Sequence, residues 1–281
     1  MNNKIKDKTV IITGASMGVG AATARRFADH GANLVLAARG KKALEEIAEE
    51  LRPKTRVVIA AMDVADDDAC SSLLKKANYE FGAIHILVNN AGYHCRGPVE
   101  GVPAIELARM IDVNLRAPIY LTRLALPYIR EAGGGAVINV ASLAGRTPVP
   151  GSATYSASKF GLRAFTFALA EELRGSDIKL AAVSPGPIDT GFIMDDIDGT
   201  SDLTFSQPLS TAEEVAIEIL KLVFNDKRER SMPPASGLLT YVNYLFPAVG
   251  RAMRPALEKR GQRVKRRLKA ERKARDRDAG Q

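Results

Sequence analysis

The chain has 281 residues, 46% of them hydrophobic and 26% charged, with a mean hydropathy of −0.08. This is the composition of a soluble globular protein with a sizeable core, and no run reaches the roughly 18 apolar residues a membrane span needs. The formal charge of +8 is uneven. Residues 251–281 carry 13 Lys+Arg against 4 Asp+Glu, so +8 overall less this +9 leaves −1 for the rest. Basicity therefore belongs to the tail and not to the main body.

Met1 to Lys8 is polar and the first apolar run, Val10 to Ile12, is short. No leader is expected from such a start, and a cytoplasmic location is. Cys70 and Cys95 have no metal-ligand spacing and read as free thiols.

In chain order, Val10-Ile11-Ile12 is a short buried-type strand. It runs into Thr13-Gly14-Ala15-Ser16-Met17-Gly18-Val19-Gly20 and then an Ala-rich helix, Ala21 to His30, closed by Gly31. Strand, glycine-rich turn and helix in that order suit a nucleotide pyrophosphate, which sits on backbone N–H groups at a helix start. A second strand, Asn33 to Ala38, leads to Arg39 and a charged helix, Lys41 to Leu51. A third strand, Arg56 to Ala61, ends in Met62-Asp63-Val64. Helix Asp66 to Phe81, strand Ile84 to Val88 and the sequence Asn89-Asn90-Ala91-Gly92 follow.

A long helical stretch runs from about Ile111 to Glu131. Gly133-Gly134-Gly135 separates it from strand Ala136 to Val140 and Ser142. Another helix extends to about Arg174 and carries Tyr155 and Lys159, four residues apart and hence on one face. A phenol ionises near pH ~10, and a nearby ammonium is expected to bring it towards neutrality for proton transfer. The pair alone is common on solvated helices; its upstream context gives it weight. Strand Leu180 to Val183 leads into Pro185-Gly186. Regular alternation of short apolar strands and helices predicts a parallel sheet covered on both faces.

Together, Thr13-Gly14-x-x-x-Gly18-x-Gly20, Asn89-Asn90-Ala91-Gly92, Asn114, Ser142, Tyr155-x-x-x-Lys159 and Pro185-Gly186 resemble a short-chain dehydrogenase/reductase over roughly residues 5 to 230. The resemblance implies an α/β fold, a three-layer Rossmann-like doubly wound parallel sheet of about seven strands. It divides the chain into a catalytic and NAD(P)-binding domain, 1–230, and a C-terminal helical extension, 231–281. It also implies hydride transfer between a nicotinamide and a carbonyl or secondary alcohol. In that reading Tyr155 is the general acid or base, and Lys159 stabilises its phenolate and holds the nicotinamide ribose. Ser142 binds the substrate oxygen, and Asn114 opens a helix around a water that links Lys159 to solvent. Ser142 is preferred to Ser152, Ser156 and Ser158 because it ends a strand at the crevice.

Cofactor contacts are expected from Gly14, Ser16, Met17, Gly18, Val19 and Gly20 of the turn, and from Tyr155 and Lys159. Arg39, Asp63, Val64, Asn90, Ala91, Gly92, Pro185, Gly186, Ile188 and Thr190 complete the set. The position after the second strand is Ala38-Arg39, with no carboxylate to bind a ribose 2′-OH and a guanidinium suited to a 2′-phosphate. NADP(H) is therefore expected over NAD, although Met17 stands where NADP-preferring relatives often carry a second basic residue. Leu143, Pro148, Val149, Tyr93, His94, Phe192, Ile193 and Met194 are candidates for a mostly apolar substrate pocket. The Asp189 to Pro208 stretch has the length of a mobile lid.

The extension has an apolar part, Gly237 to Val249, interrupted by Pro247 and Pro255, and a basic helix-like run from Arg260 to Arg277. Three readings stay open: a cover over the pocket or a subunit contact with a frayed tail, a peripheral contact with an anionic membrane, or nucleic-acid binding. Nucleic acid is the least favoured, since no aromatic residues interleave the charges. An apolar, lipid-like small-molecule substrate and a homodimer or homotetramer through the helices near 111–131 and 154–174 are expected by resemblance. The rival from another class is an NAD(P)-binding regulator or scaffold with little turnover.

Overall fold

A computed structural model describes residues 2–278, with side chains described over 4–271. A single seven-stranded parallel sheet has the order β3-β2-β1-β4-β5-β6-β7. The strands are β1 (Thr9–Thr13), β2 (Asn33–Ala38), β3 (Val57–Ala61), β4 (Ile86–Asn89), β5 (Gly135–Val140), β6 (Ile178–Pro185) and β7 (Glu229–Met232). The helices are α1 (Asn2–Ile5), α2 (Gly18–Ala28), α3 (Lys41–Leu51), α4 (Asp67–Phe81), α5 (Ala104–Ile111), α6 (Ala117–Glu131), α7 (Ala153–Glu172), α8 (Gly191–Met194), α9 (Ala212–Phe224), α10 (Pro234–Leu245) and α11 (Pro247–Asp278).

The strands are apolar throughout because both faces are covered. Val10, Ile12, Leu34 and Leu36 pack with α2, α3 and α9, while the alternate residues Ile11, Val35 and Ala37 pack with α4 and α6. The chain order reverses between β1 and β4, which opens a crevice at their C-terminal ends. Most expected elements stand within a few residues of their places. Helices α5 and α9 and strand β7 were not individually foreseen. Helix α9 does have a local signal, a reciprocal capping box between Thr211 and Glu214.

The extension corrects two expectations. Pro247 does interrupt it, separating α10 from α11 and beginning α11 where its missing N–H costs nothing, but Pro255 causes no break and lies inside that helix. The Arg251 carbonyl that Pro255 leaves without a helical donor is on an exposed turn, where water can serve it. Nor is α11 a frayed rod. Val264 and Leu268 pack on Ile193, Ile197 and Phe205, and the Lys265 Nζ donates to the carbonyls of Asp198 and Thr200. The stretch expected as a mobile lid is thus strapped by α11. The last part of the expected basic run, 272–277, lies outside the residues whose side chains are described.

A charged cluster fixes the other end of the extension. Glu229 on β7 accepts two hydrogen bonds from Arg163 of α7, one from Ser184 of β6, and pairs with the buried Arg146. Arg146 and Arg163 both lie against the ring of Tyr241 on α10. Removing the carboxylate charge would leave two poorly solvated guanidiniums facing each other, so Glu229→Gln should lower stability by about 3 kcal/mol or more in urea unfolding. Glu50→Gln, which breaks the exposed pair with Arg25, should cost less than about 1 kcal/mol.

Candidate active site

The end of β1 turns sharply at Gly14, which has φ +64°, a conformation that suits glycine. A Cβ on Gly20 would stand 2.1 Å from the Gly14 carbonyl oxygen, so only glycine lets α2 start this close to the turn. Thr13 and Asn90 tie the two sides of the crevice together. The Thr13 hydroxyl accepts from the N–H groups of Asn90 and Ala91 at 3.0 Å, and the Asn90 amide donates to the Thr13 and Gly14 carbonyls. No side chain caps the start of α2. The first-turn N–H groups therefore remain available to an anion. This cradle fits a dinucleotide pyrophosphate.

At the adenosine end, Arg39 is exposed and, among the described residues, has no acidic partner. Asp63 accepts from the Ala65 N–H and pairs with Arg109 at 2.7 Å, so its carboxylate is already engaged on both oxygens. Met17 is largely exposed on the turn, and Val64 is buried. Thr190 stands against the glycine turn, within 3.5 Å of where a Gly18 Cβ would be. Gly186 donates to the Met232 carbonyl, and Ile188 bridges to Ser210. Ser16, Val19, Gly92 and Pro185 line the same cavity.

At the catalytic end, α7 brings Tyr155 and Lys159 beneath the end of β5. The Lys159 Nζ is buried, donates to the Val140 carbonyl at 2.9 Å and lies 5.8 Å from the Tyr155 ring centre. Burial pushes this ammonium down to about 8. The Ser142 hydroxyl, at the mouth of β5, accepts from the Ala144 N–H at 3.1 Å, donates to the Pro185 carbonyl at 3.4 Å, and lies close enough to the Tyr155 phenol to favour its ionised form. Ser156 accepts from the Val149 N–H, and Ser158 donates to the Tyr155 carbonyl and accepts from the Asn114 amide.

The phenol differs from expectation. Burial pushes Tyr155 up, opposed by the Ser142 hydrogen bond and by the charge of Arg96.

Asn114 sits in a π-helical turn, Asp112–Arg116, between α5 and α6. Its buried amide spans the backbone of Tyr93, accepting from the N–H at 2.8 Å and donating to the carbonyl at 2.7 Å, and also contacts Ser158. The helix widens to a π turn at Asn114, and the side chain clamps the loop after β4.

One cavity of about 1500 Å³ runs from the glycine turn past Tyr155 to α10 and α11. All the pocket candidates except Met194 line it. Sequence reasoning missed Arg96, Gln207 and the α11 residues Met253, Arg254 and Leu257. Arg96 holds the lid, bonding to Asp196 and to the Phe192 carbonyl. His94 stacks on Tyr155 at 4.1 Å between ring centres, and burial pushes its imidazole down to about 3, so it is neutral. His94 Nε2 and Gln207 Oε1 are buried without a hydrogen-bond partner among the described residues. Among those residues no cluster could hold a metal ion. Both cysteines are free, and burial pushes the Cys70 thiol up to about 11.

The family described as short chain dehydrogenase matches residues 8–199. The chain belongs to that family. A sulfoacetaldehyde reductase of Chromohalobacter salexigens is 36% identical over 217 residues, covering 76% of this chain and 86% of that protein. The ketoacyl reductase HetN of a Nostoc species is 35% identical over 228 residues, covering 79% and 77%. The crystal structure of levodione reductase shares the fold, with a TM-score of 0.76 at 24% identity, over 83% of this chain and 99% of that one. This short-chain dehydrogenase is an oxidoreductase acting between CH–OH and C=O groups with a nicotinamide cofactor.

The depression of Lys159 from its ordinary 10.5 to about 8 amounts to a penalty of roughly 3 kcal/mol on the charged form. The unfolded chain keeps that proton up to the higher value, so stability should rise with pH through this window. Urea unfolding of wild type and Lys159→Met at pH 7 and pH 10 should show this rise in the wild type alone. Equal changes in both would count against a buried cation.

Proposed function

We propose that the protein is an NADP(H)-dependent reductase of an apolar carbonyl compound, or the dehydrogenase of the corresponding alcohol. The observation that carries the reaction is the convergence of Ser142, Tyr155 and Lys159 at the end of β5 beside the glycine turn. When bound, the nicotinamide supplies or takes up the hydride.

The Tyr155 phenol, kept protonated by burial, donates its proton to the substrate oxygen in reduction, and in oxidation its phenolate takes the proton of the alcohol. Ser142 hydrogen-bonds the same oxygen as charge develops there. Lys159 holds the cofactor ribose and supplies positive charge beside the phenol; Asn114 keeps the neighbouring loop and helix in register for proton exchange. Gln207 Oε1 lies beside Gly186, at 3.4 Å from the place of a Gly186 Cβ. It offers the acceptor that a carboxamide NH₂ in that position needs.

Preference for NADP(H) rests on Arg39, exposed, without a carboxylate neighbour and with no acidic partner to displace among the described residues. An apolar substrate is supported by Leu143, Val149, Phe192, Leu239 and Val242 on the cavity wall. Arg96, the cation felt at the phenol, is already engaged by Asp196 and a carbonyl. Family members commonly oligomerise, and α6 and α7 are proposed as the contact faces of a homodimer or homotetramer.

NADPH oxidation against a panel of ketones tests the reaction. Tyr155→Phe should lower kcat by about 10²- to 10⁴-fold, the usual share of a general acid, with NADPH affinity retained. If wild type and variant are equally inert while NADPH binds, the protein is a dinucleotide-dependent regulator instead. Arg39→Asp should raise the KM for NADPH about 10- to 100-fold, equivalent to a charged hydrogen bond of roughly 1.5–3 kcal/mol, and improve NADH use. An unchanged ratio of the two cofactors would remove Arg39 from the recognition of the phosphate.

A further inference from the structure

Helix α10 is built inside out. The residues it turns inward are Ser236, Gly237 and Thr240, small or hydroxylated, and the Thr240 hydroxyl is satisfied by the Gly237 carbonyl. Its large apolar residues face outward: Leu238 is 68% exposed and Leu245 67%, and Phe246, just beyond the helix end, is 60% exposed. Tyr241 and Val242 lie between them, and Val249 and Met253 continue the surface onto α11. Exposed apolar residues thus recur from 238 to 253. Helices that bury their small polar residues and expose their large apolar ones have a second apolar phase to meet.

Two further features say which phase. The first is charge. Lys259, Arg260, Arg263 and Arg266 follow the patch, are exposed, and have no acidic partner among the described residues. The acids nearest in the fold are spent elsewhere: Glu258 pairs with Arg254, and Asp198 and Asp202 pair with Lys269 and Lys265. An apolar patch beside unpaired cations complements the acyl boundary and headgroups of an anionic bilayer. A second copy of this chain, set on the patch by a two-fold axis, would bring like-charged α11 helices together.

The second feature is the cavity. Leu239, Val242, Tyr244, Val249 and Met253 are exposed and at the same time line the cavity that leads to Tyr155. The mouth of the substrate site therefore opens within the patch.

We propose that α10 and the first half of α11 form a docking surface for anionic lipid bilayers, onto which the substrate cavity opens. The substrate is then a carbonyl compound or alcohol that partitions into the bilayer and enters the site from it. This substrate assignment rests on the reductase reading above, whereas the docking itself does not. The contact is peripheral, since no described helix is long and apolar enough to cross a membrane. Lysine and arginine side chains each contribute about 1 kcal/mol near an anionic surface, so losing three should weaken binding roughly 100-fold.

The test is flotation of the full chain, with NADPH present, on vesicles of phosphatidylcholine with phosphatidylglycerol and on phosphatidylcholine alone. Wild type should float with the anionic vesicles and release as salt rises. Two variants probe the two features: Leu238→Glu with Leu245→Glu and Phe246→Glu, and Lys259→Glu with Arg263→Glu and Arg266→Glu. None of these six residues lines the cavity, so turnover of a small water-soluble ketone serves as the control for folding. Both variants should lose flotation with that turnover intact. Equal flotation of wild type on both vesicle types, or none on either, overturns the proposal. So does a light-scattering mass that halves in the first variant while its flotation is unchanged, which makes the patch a subunit interface. Loss of soluble-ketone turnover in Tyr155→Phe, or its absence in wild type, reports on the reductase reading alone, because flotation does not require catalysis.

Discussion

The placement of the Lys159 ammonium under the last carbonyl of β5 is the constraint on which the site depends. A buried lysine with a single hydrogen bond from its nitrogen to Val140 is costly, as its depressed pKa records. Neighbouring glycines make the position reachable. A Cβ on Gly145 would meet the Lys159 carbonyl at 2.6 Å, and one on Gly161 would press into Leu115 at 2.9 Å. With those contacts open, α7 sits close enough to the sheet edge and to the π-helical turn for Tyr155, Ser142 and Asn114 to converge. The strain of the arrangement is electrostatic, and it lies where a ribose and a substrate oxygen would be met.

The rest of the molecule encloses that point. Arg96 reaches from the loop after β4 to the lid, and α11 holds the lid from its other side through Val264, Lys265 and Leu268. Glu229 gathers Arg146, Arg163 and Ser184, and the two arginines carry the Tyr241 ring of α10. The C-terminal extension is therefore part of the cavity's wall, held at one end by a charge cluster and at the other by apolar packing. On its outward side Leu238, Leu245 and Phe246 are left exposed.

The local rules that place strands and turns are written in short stretches, and these were legible. Val10-Ile11-Ile12 followed by Gly14, Gly18 and Gly20 determines a strand, a turn and a close helix, because no other residue fits between Gly14 and Gly20. Tyr155 and Lys159 share a face because four residues make about one helical turn. Alternating apolar strands and helices determined a parallel sheet, and the net charge of the tail was countable without any structure.

Other features depend on distant residues meeting, and these the tertiary structure decided. How deeply α7 seats Tyr155 and Lys159 against β5 depends on tertiary packing, and the resulting burial pushes the phenol up where a neighbouring ammonium alone was expected to bring it down. Pro255 suggested a break, but an exposed turn tolerates its missing hydrogen bond while Gly261 and Val264 beyond it anchor the helix. Arg96 and Gln207 carry no motif; only folding brings them to the cavity. The sequence could show that residues 237–249 are apolar. It took the packing of Ser236, Gly237 and Thr240 against the body to show that the apolar side faces outward, since burial is a property of the partner surface as much as of the helix.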